Sequence, residues 1–140
     1  MPVYSSPESF QQVLTEVLSR SQHSDAAHNL RKAQMSVCFV YTQPELVLLM
    51  DGKTPTDNGD PIRFQFGPVS SPPDVTFTQL GDVGHRFWSG SLNVPGALAR
   101  GQIKASGSIA KALKLLPLMP PLFKTYCTVL QEQGMGDLIP

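Results

Sequence analysis

The stretch MSVCFVYTQPELVLLM, residues 35–50, decides the fold class. Residues 35–42 are rich in β-branched and aromatic side chains. Val37, Phe39 and Tyr41 recur at every second position, the period that places them on one face of a strand. Gln43-Pro44 interrupts the run, and residues 46–50 resume it as a nearly continuous apolar segment. Two such runs so close together read as a β-hairpin.

Toward the N-terminus the period turns helical. Ser6-Pro7-Glu8 combines a serine cap, a proline in the first turn and an acid near the positive end of the helix dipole. Phe10, Val13, Leu14, Val17 and Leu18 follow as one apolar stripe. Asp25 opens a second short helix carrying Ala26, Ala27, Leu30 and Ala33.

Toward the C-terminus, residues 51–61 form a polar loop punctuated by Gly52, Pro55, Asn58 and Gly59. Ile62, Phe64 and Phe66 alternate with Arg63 and Gln65 as a third strand. Residues 67–73 are loop, and 74–80 alternate again, with Val75 and Phe77 on the inward side. Asp82 is expected to cap a short helix through Phe87 and Trp88 that ends at Gly90. Residues 95–99 make one or two helical turns, and 102–106 a fifth strand with Ile103 and Ala105 inward. Ser108 is expected to cap a helix over residues 109–116. Pro117, Pro120 and Pro121 interrupt the helical region, and a last helix covers 121–133 up to Gly134. Helix, strands, short helices, strand and terminal helices, in that order, give an α+β fold: a mixed five-stranded sheet with helices packed mainly on one side.

A chain of 140 residues suits one domain over residues 1–140 and can bury a core without staples. Charged residues make up only 16% of it, so more of its surface than usual is neutral or apolar. Cys38 and Cys127 lie in apolar runs with no disulfide or zinc spacing, which suits two buried thiols in a reducing compartment. Residues 1–20 do not read as a secretory signal, and no apolar run approaches the ~20 residues that cross a bilayer. The expected location is cytoplasmic.

The net charge is zero but unevenly spread. Residues 83–131 hold no acid and six bases, Arg86, Arg100, Lys104, Lys111, Lys114 and Lys124. The overall balance argues against nucleic-acid binding, while the local excess suits an anionic membrane surface or ligand.

The motifs of catalysis are missing. Ser89-Gly90-Ser91 is a small-residue turn without the flanks of a nucleophile elbow. Residues 101–107 lack the Lys-Ser/Thr ending of a phosphate loop. Gly134-Met135-Gly136 follows a helix, where a dinucleotide motif would follow a strand. His23 and His28 lack the spacing of three or four that stacks metal ligands on one helix face. Asp51, Asp57 and Asp60 do not match a calcium loop and read as a solvated turn. No cofactor or metal is expected. His85, beside Arg86, Phe87 and Trp88, is the residue to test first were the chain an enzyme, although a surface or half-buried histidine is the commoner case.

One segment is unusual. Leu113, Leu115, Leu116, Leu118, Met119, Leu122 and Phe123 make it apolar nearly all round, with Lys111 and Lys114 on one side. A surface helix needs a single apolar stripe, so this segment is either deeply buried or covers something apolar.

The stretch FWSGSLNVPGALARGQIKASGSIAKALKLLPL, residues 87–118, resembles the sterol carrier protein type 2 family, the nonspecific lipid-transfer proteins. Phe87, Gly90, Leu92, Ala97-Leu98, Gly101, Ile103, Gly107 and residues 110–116 carry the likeness, and DVTFTQLGD (74–82) precedes them as the family places it. The resemblance implies an apolar tunnel closed by C-terminal helices, with residues 113–123 as its lid. It also implies a guest (fatty acid, acyl-CoA, phospholipid or sterol) held without covalent chemistry. The peroxisomal tail of the animal carriers is absent, and Gln102 stands where a lysine is common.

On this reading the chain is not an enzyme but binds and carries a lipid. The lining candidates are Phe64, Phe66, Val75, Phe77, Phe87, Trp88, Leu98, Ile103, Ile109, Leu113, Leu116, Leu118, Met119, Leu122 and Phe123. Arg100, Lys104, Lys111, Lys114 and Lys124 would make transient contact with an anionic membrane. The alternative is an accessory subunit that uses the same fold to dock on a lipid-metabolising enzyme.

Overall fold

The computed structural model describes residues 2–140. Helix α1 spans Pro7–Arg20, and Ser6 Oγ accepts the Ser9 N–H at its start. Its stripe of Phe10, Val13, Leu14, Val17 and Leu18 is buried. Helix α2 covers Asp25–Lys32, and Ser24, one residue ahead of the expected start, supplies the cap to Ala27 N–H.

The hairpin forms as read, with β1 at Ser36–Thr42 antiparallel to β2 at Leu46–Asp51. Strand β3, Arg63–Phe66, pairs antiparallel with β2. Strand β4, Val75–Leu80, lies parallel to β1, and β5, Ile103–Gly107, antiparallel to β4. The sheet order is β3-β2-β1-β4-β5. Pairing aligns the inward residues in rows across the sheet: Phe66, Leu48, Phe39, Phe77 and Ala105 form one, and Leu46, Tyr41, Gln79 and Ile103 the next. The helices cover this face. On the other, Val40, Val47, Thr76 and Thr78 are half-buried and Lys104 and Ser106 exposed.

Helix α3 spans Gly81–Trp88 and α4 spans Val94–Ala99. Gly90 and Gly101 stop them at φ +83° and +75°, left-handed values that glycine adopts without strain. In each, the residue after the glycine closes the turn, Ser91 N–H onto Arg86 O and Gln102 N–H onto Ala97 O.

Three expectations about helix ends need correction. Asp82 does not cap α3: the helix starts one residue earlier, and Asp82 Oδ1 accepts the Val3 N–H at 2.8 Å. A tie between segments far apart in sequence takes the oxygen that a local cap would use. Ser108 makes no side-chain cap; its backbone N–H donates to Asp74 O at 2.8 Å. Helix α5 is shorter than read, Ile109–Leu113, because Pro117 has no N–H for the Leu113 carbonyl and its ring crowds that position. A single 3-10 turn, Leu116–Leu118, leads into α6, Pro120–Glu132, and a second, Gly136–Leu138, ends the chain.

Candidate functional site: an apolar cavity beneath the C-terminal arm

Between the helix-covered face of the sheet and the arm of α5, the 3-10 turn and α6 lies a cavity of about 70 Å³. Its floor is Val37, Phe39, Met50, Phe77, Gln79 and Ile103 of the strands. Ala26, Ala27 and Leu30 of α2, with Ile62, form one wall, and Phe87 and Val94 the opposite one. Ala112, Leu113, Leu115, Leu116, Met119 and Leu122 form the roof. Gln79 is the one polar residue among these, and none is charged.

The arrangement answers the question raised by residues 113–123. Met119 and Leu122 are buried, while Leu113, Leu115 and Leu116 are half-buried with the cavity beneath them. Lys111 and Lys114 on the same arm are exposed, as are Arg100, Lys104 and Lys124. Among the described residues the ion pairs join Arg20 to Glu16 and Glu132 and Lys53 to Asp74, so these five cations face no acidic partner.

Of the fifteen lining candidates, seven border the cavity: Phe77, Phe87, Ile103, Leu113, Leu116, Met119 and Leu122. Val75 and Trp88 are fully buried core residues beside it. Phe64, Phe66, Leu98, Ile109, Leu118 and Phe123 pack on the core, half-buried, without reaching the cavity. The lining residues not foreseen are chiefly Ala26, Ala27 and Leu30, whose helix gives no sign of which element it faces. Val37 and Phe39 were legible as inward positions. So was Gln79, two residues beyond Phe77 in the same alternation, a polar side chain where an apolar one is expected.

The polar groups nearby serve the core. Trp88 Nε1–H donates to Tyr41 Oη at 2.9 Å. His85 is 3% exposed, buried where a surface or half-buried histidine was expected, and does not border the cavity. Its Nε2 lies 2.7 Å from Leu138 O and its Nδ1 2.8 Å from Tyr126 Oη. A carbonyl only accepts, so Nε2 carries the proton and Nδ1 of the neutral ring accepts from the Tyr126 hydroxyl. Burial lowers the His85 pKa, opposed in part by the bond to Leu138 and the charge of Asp82. Burial likewise pushes the Tyr4 hydroxyl, bonded to Tyr126, up to about 12. The cluster ties α3, α6 and the C-terminal turn together and does not border the cavity.

Cys38 is buried, but Cys127 is only half-buried, with Sγ 4.0 Å from Ser89 O. The acidic loop is held as a turn, with Asn58 Nδ2–H donating to Asp60 Oδ2 and Thr56 Oγ–H to Asp60 O. Among the described residues no group of three or more metal-ligating side chains comes together, and no helix is long and apolar enough to cross a membrane.

The sheet order, the helix-covered face and the C-terminal arm define the sterol carrier protein 2 fold. Sterol carrier protein 2 from Yarrowia lipolytica, solved in its apo form, superposes with a TM-score of 0.57 at 16% identity, over 82% of this chain and 87% of that one. Sterol carrier protein 2-like 2 from Aedes aegypti gives 0.57 at 22% identity, over 79% and 96%. The ubiquinone synthesis protein UbiJ-SCP2 gives 0.55 at 12%, over 77% and 87%. The chain also matches part of the inverting sec-alkylsulfatase Pisa1 from Pseudomonas sp., with a TM-score of 0.53 at 19% identity, but spans only 14% of that enzyme's length. At these identities the likeness is one of fold. No protein-family model matches the sequence, and neither does any curated protein.

Proposed function

We propose that this chain, as one domain, binds and carries a hydrophobic ligand in the cavity beneath its C-terminal arm and does no chemistry on it. The observation that supports this most directly is a lining without charge and with a single polar side chain, under a roof of half-buried leucines. Fatty acid, acyl-CoA, phospholipid and sterol are the candidate guests, and the cytoplasm is the proposed location.

A cavity of about 70 Å³ is far smaller than the roughly 300–1,000 Å³ of sites that enclose whole ligands. A lipid therefore enters by lifting the arm. The five-residue α5 and the single 3-10 turn that follows it are short elements with little hydrogen bonding of their own, the kind that opens at low cost. Each methylene buried contributes roughly 0.8 kcal/mol, so a long acyl chain offsets that opening with few polar contacts. The exposed lysines of the arm would hold it against an anionic bilayer while it opens.

The second reading, an accessory unit of a lipid-metabolising enzyme, draws on the sec-alkylsulfatase match, in which this fold makes up a small share of a larger enzyme.

The test is to extract the purified protein with organic solvent under denaturing conditions, analyse the extract by mass spectrometry, and titrate the protein with a fatty acid and a sterol. Trp88 is a suitable reporter. Its ring lies 5.3 Å from that of Phe87 and 5.9 Å from that of Phe39, both of which border the cavity. Saturable quenching at one site per chain is expected. An empty protein that responds to neither lipid sinks the carrier reading.

A further inference from the structure

Gln79 sits on β4 at an inward position, flanked in its row by Tyr41 and Ile103. It is 5% exposed and borders the cavity. Its Oε1 is sealed from solvent and has no hydrogen-bond partner among the described residues. The one nearby hydroxyl in its row, Tyr41 Oη, accepts from Trp88 and makes no hydrogen bond to Gln79. A buried amide oxygen left unpaired destabilises the fold, and a leucine or methionine here would avoid that cost. Water satisfies the group poorly, because an ordered water needs two or more polar partners and the lining provides only this one.

We infer that Gln79 is the polar anchor of the cavity and that the guest it selects carries a neutral hydroxyl on an apolar body, a long-chain alcohol or a sterol. The inference rests on the carrier reading and refines it. A hydroxyl both donates and accepts, so it pairs with the amide whichever way the amide is turned. An ionised carboxylate does not suit the position. No cation borders the cavity, and an unpaired buried charge is far more costly than an unpaired amide. A fatty acid would have to leave its head outside, toward the lysines of the arm.

The experiment compares 1-hexadecanol with n-heptadecane, which has the same number of heavy atoms and no hydroxyl, both delivered from cyclodextrin to the whole chain. Affinities are measured for the wild type, Gln79→Met and Gln79→Leu. The alcohol is expected to weaken about tenfold in both variants while the alkane binds as well or better. The ligand-free variants are expected to melt no lower than the wild type. Dehydroergosterol as a third probe separates the two sources, because the Gln79-dependent gain appears with the linear alcohol or with the ring alcohol. In the wild type itself, the Gln79 side-chain amide resonance should move with the alcohol and stay with the alkane, a readout that needs no variant. Equal weakening of alcohol and alkane, or none for either alcohol, overturns the anchor and leaves the carrier reading standing. Failure of all three probes to bind the wild type overturns both.

Discussion

Replacing Ala112 by leucine separates the cavity's contribution to stability from its contribution to binding. Ala112 is 7% exposed and lies in the roof. Leucine adds three carbons directed at a space of about 70 Å³. At about 24 cal/mol per Å³, eliminating that void stabilises the fold by at most about 1.7 kcal/mol. Strain from imperfect fit takes back about 1 kcal/mol. The melting temperature should therefore stay level or rise by up to ~2 °C. The guest, however, loses room for about three methylenes, ~2.4 kcal/mol, so lipid affinity should fall about 50-fold. Thermal denaturation followed by circular dichroism and titration with a fluorescent fatty acid measure the two effects on one sample. Ala110→Leu, at an exposed position of the same helix, is the control and should change neither. Unchanged affinity in the Ala112 variant would mean that the guest sits elsewhere. A drop in melting temperature of more than ~6 °C would mean that the roof is already close-packed and has no space to lend.

Because burial lowers the His85 pKa, the unfolded chain binds more protons than the folded one between the folded pKa and about 6.5. Stability is therefore complete above about pH 6.5 and falls as the pH drops through that window, and His85→Gln should flatten the slope of melting temperature between pH 7.5 and 5; an unchanged slope would remove His85 as its source. Gly84→Ala drives a Cβ into the Tyr41 ring at Cε1, at the contact of α3 with β1. Tyr41 is pinned by Trp88, so denaturant titration should show a loss of about 2 kcal/mol, and a neutral result would mean that the two elements can separate freely. Replacing Lys111, Lys114 and Lys124 together by glutamine should weaken co-sedimentation with phosphatidylserine vesicles on the order of a hundredfold at physiological salt. Binding of an uncharged lipid in solution should be unaffected, and equal sedimentation of variant and wild type would remove the arm from the membrane contact.

Much of this fold is written in short-range patterns. Alternation at Val37, Phe39 and Tyr41, at Phe64 and Phe66, and at Val75 and Phe77 marks strands and their inward faces, because the strand period of two is a local property. The stripe from Phe10 to Leu18 and the serine before it mark α1 for the same reason. Helix ends were less legible. Asp82 has the chemistry of a cap, but the Val3 N–H, distant in sequence, claims its oxygen. The apolar arm was legible as a segment either deeply buried or covering something apolar, because no single-faced packing uses leucines all round, and the sequence did not choose between the two.

Which residues meet that space depends on elements that approach from far apart in the chain. Ala26, Ala27 and Leu30 reach the cavity because α2 packs over the sheet, and their spacing fits any buried helix face equally well. Trp88 and Phe87 are neighbours with similar apolar chemistry, yet one turns to Tyr41 in the core and the other borders the cavity. His85 reads as an available base until the fold seals it between Tyr126 and Leu138. Gln79 needed both levels. The sequence alone determined that a glutamine points inward from β4, since alternation sets the direction of a side chain. Only the tertiary structure decided that its carbonyl faces an apolar cavity unpaired, since a hydrogen-bond partner, or the lack of one, comes from whatever the rest of the chain brings alongside.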